Sequence, residues 1–396
     1  MAVQKLKDDV YFVGAIHWDR PIFDELVELP KGTSYNAYLI KGSTKTALLD
    51  TVDPDKTYEL IRNLETLGVD KLDYVVAHHA EQDHSGSIPA ILEKYPEAKV
   101  VTNEKCKGFL MDLMPIAEDK FITVKDGDIL DLGDKHLRFI FTPWVHWPET
   151  MISYLEEKKM LFTCDFFGSH IATSRIFGPK DEMLIYEGAK HYYAEIMMPF
   201  RTHIKKHIVK IEELDFDMIC PSHGSVYKNP KFIIDAYKDW VSDRLDNEVL
   251  IPYVSMHGST KKMVEHLGDA LVEKGIDVKL FNIIEVPLGE VAMALVNDAT
   301  VVFATPFVLA GAHPSIASLA YLANALRPKA KFASIIASYG WGGKAVDHIL
   351  GLLTNLKVDV IDPVLVKGEP KENDYKALDE LAQKIYEKHK SIGIVD

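Results

Sequence analysis

Cysteine is scarce in this chain: three in 396 residues, Cys106, Cys164 and Cys220, far apart and forming no CxxC pair. That spacing supplies no disulfide framework and excludes a zinc ribbon or an appended iron–thiolate module. Long apolar runs are also missing. The longest, Val301 to Ala312, is interrupted by Pro306 and is too short to span a bilayer. The opening MAVQKLKDDVYF has no apolar core of a signal peptide. We therefore expect a soluble, cytoplasmic protein with no membrane partner. Positive charge is in short supply: 45 Lys and Arg stand against 59 Asp and Glu, a formal net charge of −14. A nucleic-acid partner needs concentrated cations, so a global footprint for one is excluded. Internal repeats and low-complexity segments are absent.

What is present suits two packed cores. The chain is 47% hydrophobic and 10% aromatic, and its length exceeds one ordinary domain. Up to the polar stretch Asp243–Glu248, strands and short helices alternate in mixed order. Tyr35–Ile40 and Thr46–Thr51 read as a hairpin around Lys41-Gly42-Ser43, Asp55–Leu67 as a helix, and Asp73–Ala80 as a short buried strand. Further hairpins are expected at Gly133-Asp134 and at Glu156–Lys159. Beyond Leu250, apolar strands alternate strictly with amphipathic helices, the mark of a doubly wound parallel sheet. Five such strands in about 145 residues suit a flavodoxin-like unit. The expected domains are residues 1–247 and 248–396.

The segment after the strand DYVVA reads His78-His79-Ala80-Glu81-Gln82-Asp83-His84, four potential metal ligands within the six residues His79 to His84. On its own such a run is as readily a solvated loop. Three later residues change that. His146 follows the strand-like run ending in FTPWVHWP, Asp165 interrupts the apolar MLFTCDFF, and His223 follows DMIC in PSHGS. A buried acid such as Asp165 is costly without a cation. His78 alternates with His79 and is expected to face the opposite side as a structural residue.

The H-x-[HE]-x-D-H pattern with separate His, Asp and His partners resembles the metallo-β-lactamase superfamily. The intervals agree, with 61 residues between His84 and His146 and 18 between His146 and Asp165. Glu81 stands where that superfamily's hydrolases carry a second His. With a flavodoxin-like unit behind it, the whole chain resembles the flavodiiron proteins. The resemblance implies an α/β chain, with an N-terminal metallo-β-lactamase-like αβ/βα sandwich and a C-terminal flavodoxin-like doubly wound parallel sheet. It also implies FMN and two iron ions as cofactors. One iron would take His79, Glu81 and His146, the other Asp83, His84 and His223, and Asp165 would bridge them. Carboxylates are harder donors than imidazole and suit iron, whereas nitrogen- and sulfur-rich tetrahedral sites favour zinc. His170 and Tyr193 sit where similar proteins place groups around the metals; a buried Tyr hydroxyl there can donate a hydrogen bond or proton. A core Tyr satisfied by backbone is the alternative.

In the C-terminal half the strand IPYVS runs into Met256-His257-Gly258-Ser259-Thr260 at a helix start. With Ser255, these hydroxyls and free N–H groups form a phosphate cradle. No GxGxxG is present, which favours a mononucleotide. Two further strand-end loops would flank the flavin ring: one holding Pro306, Phe307, Leu309 and Ala310, the other holding Ser338, Tyr339, Gly340, Trp341, Gly342 and Gly343. Trp341 between glycines can lie flat near an isoalloxazine. Phe307 departs from the Thr frequent at that position in the family.

The resemblance implies an oxidoreductase that reduces dioxygen to water or nitric oxide to nitrous oxide. A reduced 8-hydroxy-5-deazaflavin coenzyme is the expected electron donor and a free rubredoxin the alternative. A head-to-tail homodimer, or a dimer of dimers, would bring one subunit's flavin to the other's metals. Two other classes stay open: a metal-dependent hydrolase with a flavodoxin appendage, and a plain electron carrier on an inert scaffold. Glu81 weighs against the first and the full ligand set against the second.

Overall fold

The computed structural model describes residues 3–395; residues 1, 2 and 396, at the ends of the two expected domains, lie outside the described residues. The chain forms two compact units, one made of the chain up to Tyr193 with Phe200–Val241, the other of Ala194–Pro199 with the chain from Ser242 onward.

The first unit is built on two sheets. Seven strands run in the order Gln4–Lys7, Val10–Phe12, Tyr38–Lys41, Thr46–Leu49, Tyr74–Val76, Lys99–Asn103 and Phe121–Val124. The first three pairings are antiparallel and the last three parallel. Five strands form the other sheet: Ile129–Asp131, His136–Phe141, Met151–Leu155, Met160–Cys164 and Met218–Pro221. Side-chain alternation decides the layers. Leu39, Leu48, Val75 and Val100 pack with Leu60, Ile91 and Leu110 of the helices Thr57–Thr66, Ile88–Lys94 and Glu104–Leu113. Ile40, Leu49, Val76 and Val101 turn the other way, onto Leu137, Phe139, Met151 and Phe162 of the second sheet. Each such fully buried side chain contributes about 1.5–3 kcal/mol.

Tyr35–Ile40, expected as one strand, is broken into Thr33–Tyr35 and Tyr38–Lys41. Asn36 is the reason: its Nδ2 donates to the carbonyls of Pro221 (2.8 Å) and Gly224 (2.9 Å), and its backbone N–H to Ser222 (2.8 Å). The break thus ties down the loop that carries His223.

In the second unit, parallel strands run in the order Asp277–Asn282, Asp246–Tyr253, Asp298–Val308, Phe332–Tyr339 and the pair Asp359–Val360 with Val364–Lys367. In chain order this is 2-1-3-4-5, with the strand order reversing between the first and third strands, where such sheets open a ligand crevice. Val249, Ile251, Val302 and Ile336 pack beneath the helices Ser259–Val272 and Glu372–Ser391. The polar stretch Asp243–Glu248, expected to separate the domains, already enters the sheet, because the strand Asp246–Tyr253 begins within it. Division therefore falls at 241/242 rather than at 247/248. Among the described residues no helix is long and apolar enough to cross a membrane.

Candidate metal centre and nucleotide crevice

The loop leaving Tyr74–Val76 sends His78 and His79 to opposite sides. His78 Nδ1 lies 2.7 Å from Asp50 Oδ2 and its Nε2 2.8 Å from Ser153 Oγ, a fully paired structural position. His79 turns toward the end of Met160–Cys164, where Asp165 emerges. Two groups of ligand atoms assemble there: His79, Glu81, His146 and Asp165, and Asp83, His84 and His223, with the atoms of each within 4.8 Å of one another. Asp165 faces both. Its Oδ2 is 3.5 Å from Nε2 of both His79 and His146, and its Oδ1 is 2.9 Å from His84 Nε2 and 3.4 Å from His223 Nε2.

Glu81 Oε2 lies within hydrogen-bond distance of His79 Nε2 (3.1 Å) and His146 Nε2 (3.0 Å), but elsewhere in the cluster proximity is not hydrogen bonding. Both Asp83 oxygens, both His84 ring nitrogens and Asp165 Oδ2 are buried without a hydrogen-bond partner. Buried polar groups are rarely orphaned, and carboxylates least of all. Atoms that crowd together without bonding each other converge on a point between them, a geometry that suits a cation. The electrostatics agree. Burial works to lower the basicity of His146 and His223, yet Asp165 with Glu81 or Asp83 raises them to about 9 and about 10. Burial likewise works against ionisation of Asp165, and the imidazoles of His84, His146 and His223 still hold it well below the usual carboxylate range. The cluster is short of positive charge, and the residues present fit two metal ions.

Supporting groups fix the ligands. His79 Nδ1 lies 2.7 Å from Glu149 Oε1, which also accepts from the Ala80 N–H at 3.1 Å. His223 Nδ1 donates to the Ser34 carbonyl at 2.7 Å. Such partners set ring orientation and raise ligand basicity. The tyrosine at the cluster is Tyr192, whose hydroxyl donates to Asp165 Oδ1 at 2.8 Å. Tyr193, the expected one, is a core residue packed on Tyr237 and Trp240, its hydroxyl 3.3 Å from the Trp240 carbonyl. The helix Glu182–Tyr192 ends there, and successive residues leave on different sides. His170 does reach the cluster: its ring centroid is 4.9 Å from those of His223 and Tyr192, and Nδ1 is 2.9 Å from Thr33 Oγ1. Burial, with the charge on His223, holds it well below the usual imidazole range. A cleft of about 540 Å³, lined in part by Arg20, Phe23, Asp24, Glu81, Asp83 and Trp147, opens beside the centre. Burial, then the charges of Glu81 and Asp83, push Asp24 up to about 6. Sequence reasoning missed Glu149, Tyr192 and Asp24. Only Glu149, an acid three residues after His146 and two before the buried strand Met151–Leu155, carried a usable signal.

In the second unit a cleft of about 210 Å³ is lined by Ser255, Met256, His257, Ser259, Thr260, Pro306, Phe307, Ser338, Tyr339, Gly340 and, unanticipated, Gly368. Gly258 precedes the helix Ser259–Val272 with φ +93, a conformation that frees backbone N–H groups at the helix start. Ser255 Oγ accepts from the N–H groups of Gly258 and Lys261, each at 3.2 Å, and Thr260 Oγ1 lies 2.9 Å from Ser338 Oγ. The rings of Phe307 and Tyr339 lie 5.3 Å apart, tilted by 33°. Leu309, Ala310, Trp341, Gly342 and Gly343 do not line this cleft. Leu309 and Trp341 are 89% and 71% exposed, and a Cβ on Gly343 would stand 2.7 Å from the Phe307 ring. The cradle, aromatic pair and switch-point location fit FMN.

A metallo-β-lactamase-like unit carrying a two-metal ligand set, with a flavodoxin-like unit carrying a mononucleotide crevice, defines a class of electron-transfer enzymes. A model of the ODP family beta-lactamases matches residues 33–224. The chain is 36% identical to a nitric oxide reductase of Moorella thermoacetica, over 96% of this chain and 97% of that one. It is 31% identical to the coenzyme F420H2 oxidase of Methanothermobacter marburgensis, over 97% and 98%. The structure of rubredoxin:oxygen oxidoreductase from Desulfovibrio gigas matches with a TM-score of 0.94 and 30% identity, covering 98% of this chain and 99% of that one. The chain belongs to the flavodiiron protein family.

Proposed function

We propose that this chain is a cytoplasmic flavodiiron oxidase that takes electrons from an external donor on FMN and reduces dioxygen to water at a two-iron centre. The observation that carries the metal assignment is Asp165, each of whose oxygens faces a separate group of buried ligands. In this reading His79, Glu81 and His146 would hold one iron and Asp83, His84 and His223 the other, with Asp165 shared between the two groups. Bound there, two irons and a reduced flavin would together supply the four electrons of dioxygen reduction.

The chain's own residues do the rest. Glu149 and the Ser34 carbonyl orient His79 and His223. Tyr192 holds Asp165 in place and carries a proton beside it, and His170, whose basicity burial lowers, packs against His223. In the second unit, the Ser255–Thr260 segment takes the FMN phosphate at the helix N-terminus, while Phe307 and Tyr339 flank the ring. Leu309 and Trp341 stand exposed outside the cleft lining. The coenzyme F420H2 oxidase relative supports a reduced deazaflavin coenzyme as donor, and the Desulfovibrio relative supports rubredoxin as the alternative. Nitric oxide reduction to nitrous oxide is the second reading, favoured by the Moorella relative. A head-to-tail homodimer or a dimer of dimers is the proposed assembly.

The test is metal and flavin quantitation with anaerobic turnover, using each reduced donor against each gas. Two irons and one FMN per chain with dioxygen reduced to water are expected. An active sample with one metal per chain would overturn the two-metal reading, and inactivity toward both gases would overturn the function.

A further inference from the structure

Cys164 ends the strand Met160–Cys164, with φ +51, immediately before Asp165. It is 1% exposed, forms no disulfide, and belongs to neither ligand set described above. Yet its Sγ, a ring nitrogen of His84 and a carboxylate oxygen of Asp165 all lie within 4.8 Å of one another. A second observation points to a ligand there. His84, also 1% exposed, has neither ring nitrogen hydrogen bonded, although Nε2 is 2.9 Å from Asp165 Oδ1. His79 and His223 are each tied through Nδ1 to an acceptor, Glu149 and the Ser34 carbonyl. His84 lacks that tether, so no hydrogen bond dictates which ring nitrogen it presents.

We propose that Cys164 furnishes a thiolate to an alternative second metal position, His84–Cys164–Asp165, which takes a soft divalent ion such as zinc. This set shares His84 and Asp165 with the Asp83–His84–His223 position, so the two compete for one ion. One nitrogen, one sulfur, one carboxylate oxygen and an open fourth position match the tetrahedral preference of zinc. Metal–ligand bonds of 2.0–2.3 Å place tetrahedral donors roughly 3.5 Å apart, within reach of the observed cluster after small side-chain shifts. Binding releases the thiol proton to solvent and changes no oxidation state. The harder set of Asp83 and His223 suits iron, so the identity of the ion decides which position fills. The inference rests on the reading of this cluster as a metal centre.

The experiment uses the full-length protein, stripped of metal and reloaded with two equivalents of zinc or cobalt(II). X-ray absorption at zinc is expected to show a sulfur neighbour at about 2.3 Å in the wild type and none in Cys164→Ser. Cobalt loading should give a sulfur-to-cobalt charge-transfer band in the near ultraviolet that Cys164→Ser loses. In competition with ferrous iron, the preference for zinc should fall at least about tenfold in the variant, the lower end of what losing a more distant partner costs. Cys106 and Cys220 belong to none of the ligand groups, so they offer no substitute sulfur. Should Cys164→Ser fail to fold, the wild-type spectra alone decide. Two metals bound with no sulfur at either overturn this proposal and leave the two-metal centre standing; failure to bind metal at all overturns both.

Discussion

Replacing Asp165 with asparagine keeps the side chain's size and removes its charge from between the two ligand groups. The structure sets the scale. Asp165 oxygens lie 2.9–3.5 Å from the Nε2 atoms of His84, His223, His79 and His146, and an ion coordinated by both ring and carboxylate at about 2 Å would lie within that range. Unit charges about 3.5 Å apart at an effective dielectric of 20 interact by about 5 kcal/mol. The asparagine carbonyl keeps part of that attraction; taking half as lost gives about 2.5 kcal/mol per metal. At 1.36 kcal/mol per decade this is roughly a 100-fold weaker affinity at each position. Asp165→Asn should therefore lose at least one iron during dialysis against a chelator, and gas reduction with it. FMN content and flavin bleaching by the donor should survive, because their residues lie in the other unit. A variant that keeps two irons and wild-type turnover would refute the bridging role.

Three further outcomes follow from individual contacts. Tyr192→Phe removes a hydrogen bond to a carboxylate, typically worth about 1.5–3 kcal/mol, and should weaken metal binding roughly tenfold or more, whereas Tyr193→Phe should lower only thermal stability; equal metal affinities in the two would refute the assignment. Glu149→Gln should cut metal affinity about 10–100-fold by loosening His79, as read by chelator competition, and unchanged affinity would remove Glu149 from the site. Burial lowers His389 to about 4, beside Thr300 and Asn247. Its folded pKa lies below the unfolded 6.5, so its contribution is full above pH 6.5 and is lost as pH falls toward 4. Asp298, raised to about 8 mainly by burial and paired with Lys279, acts in the opposite direction, so the His389 effect is read as a difference: His389→Gln should show a smaller loss of denaturant midpoint between pH 7 and 5 than wild type, and parallel curves would refute it.

What was legible in the sequence follows from where the determining interactions lie. The second unit could be traced strand by strand because strands such as Phe332–Tyr339 are buried along nearly their whole length and alternate with amphipathic helices; period and burial are local properties. Two of the candidate metal ligands, Asp165 and His223, were legible because each is a polar residue placed where an apolar strand ends. Asp165 after Met160–Cys164 and His223 after Met218–Pro221 announce themselves by interrupting a run that has every reason to continue. The groups that orient the ligands carry no such mark. Glu149 acts through a contact 70 residues away, and Asn36 breaks its strand through carbonyls 185 and 188 residues distant.

Tyr192 and Tyr193 show the limit most sharply. They are identical, adjacent and almost equally buried, at 1% and 0% exposure. Composition, periodicity and family resemblance cannot separate them, since neighbouring helical residues differ only by a rotation of about 100° around the axis. That rotation sends one hydroxyl to the carboxylate between the metal sites and the other to a backbone carbonyl of the core. The choice is set by how the helix Glu182–Tyr192 is pinned, by Gly188 against Ile171 and by Tyr192 against Gly168, where a Cβ on either glycine would collide or crowd. The identity of a functional residue can thus depend on helix phase, which is fixed only when the whole unit packs.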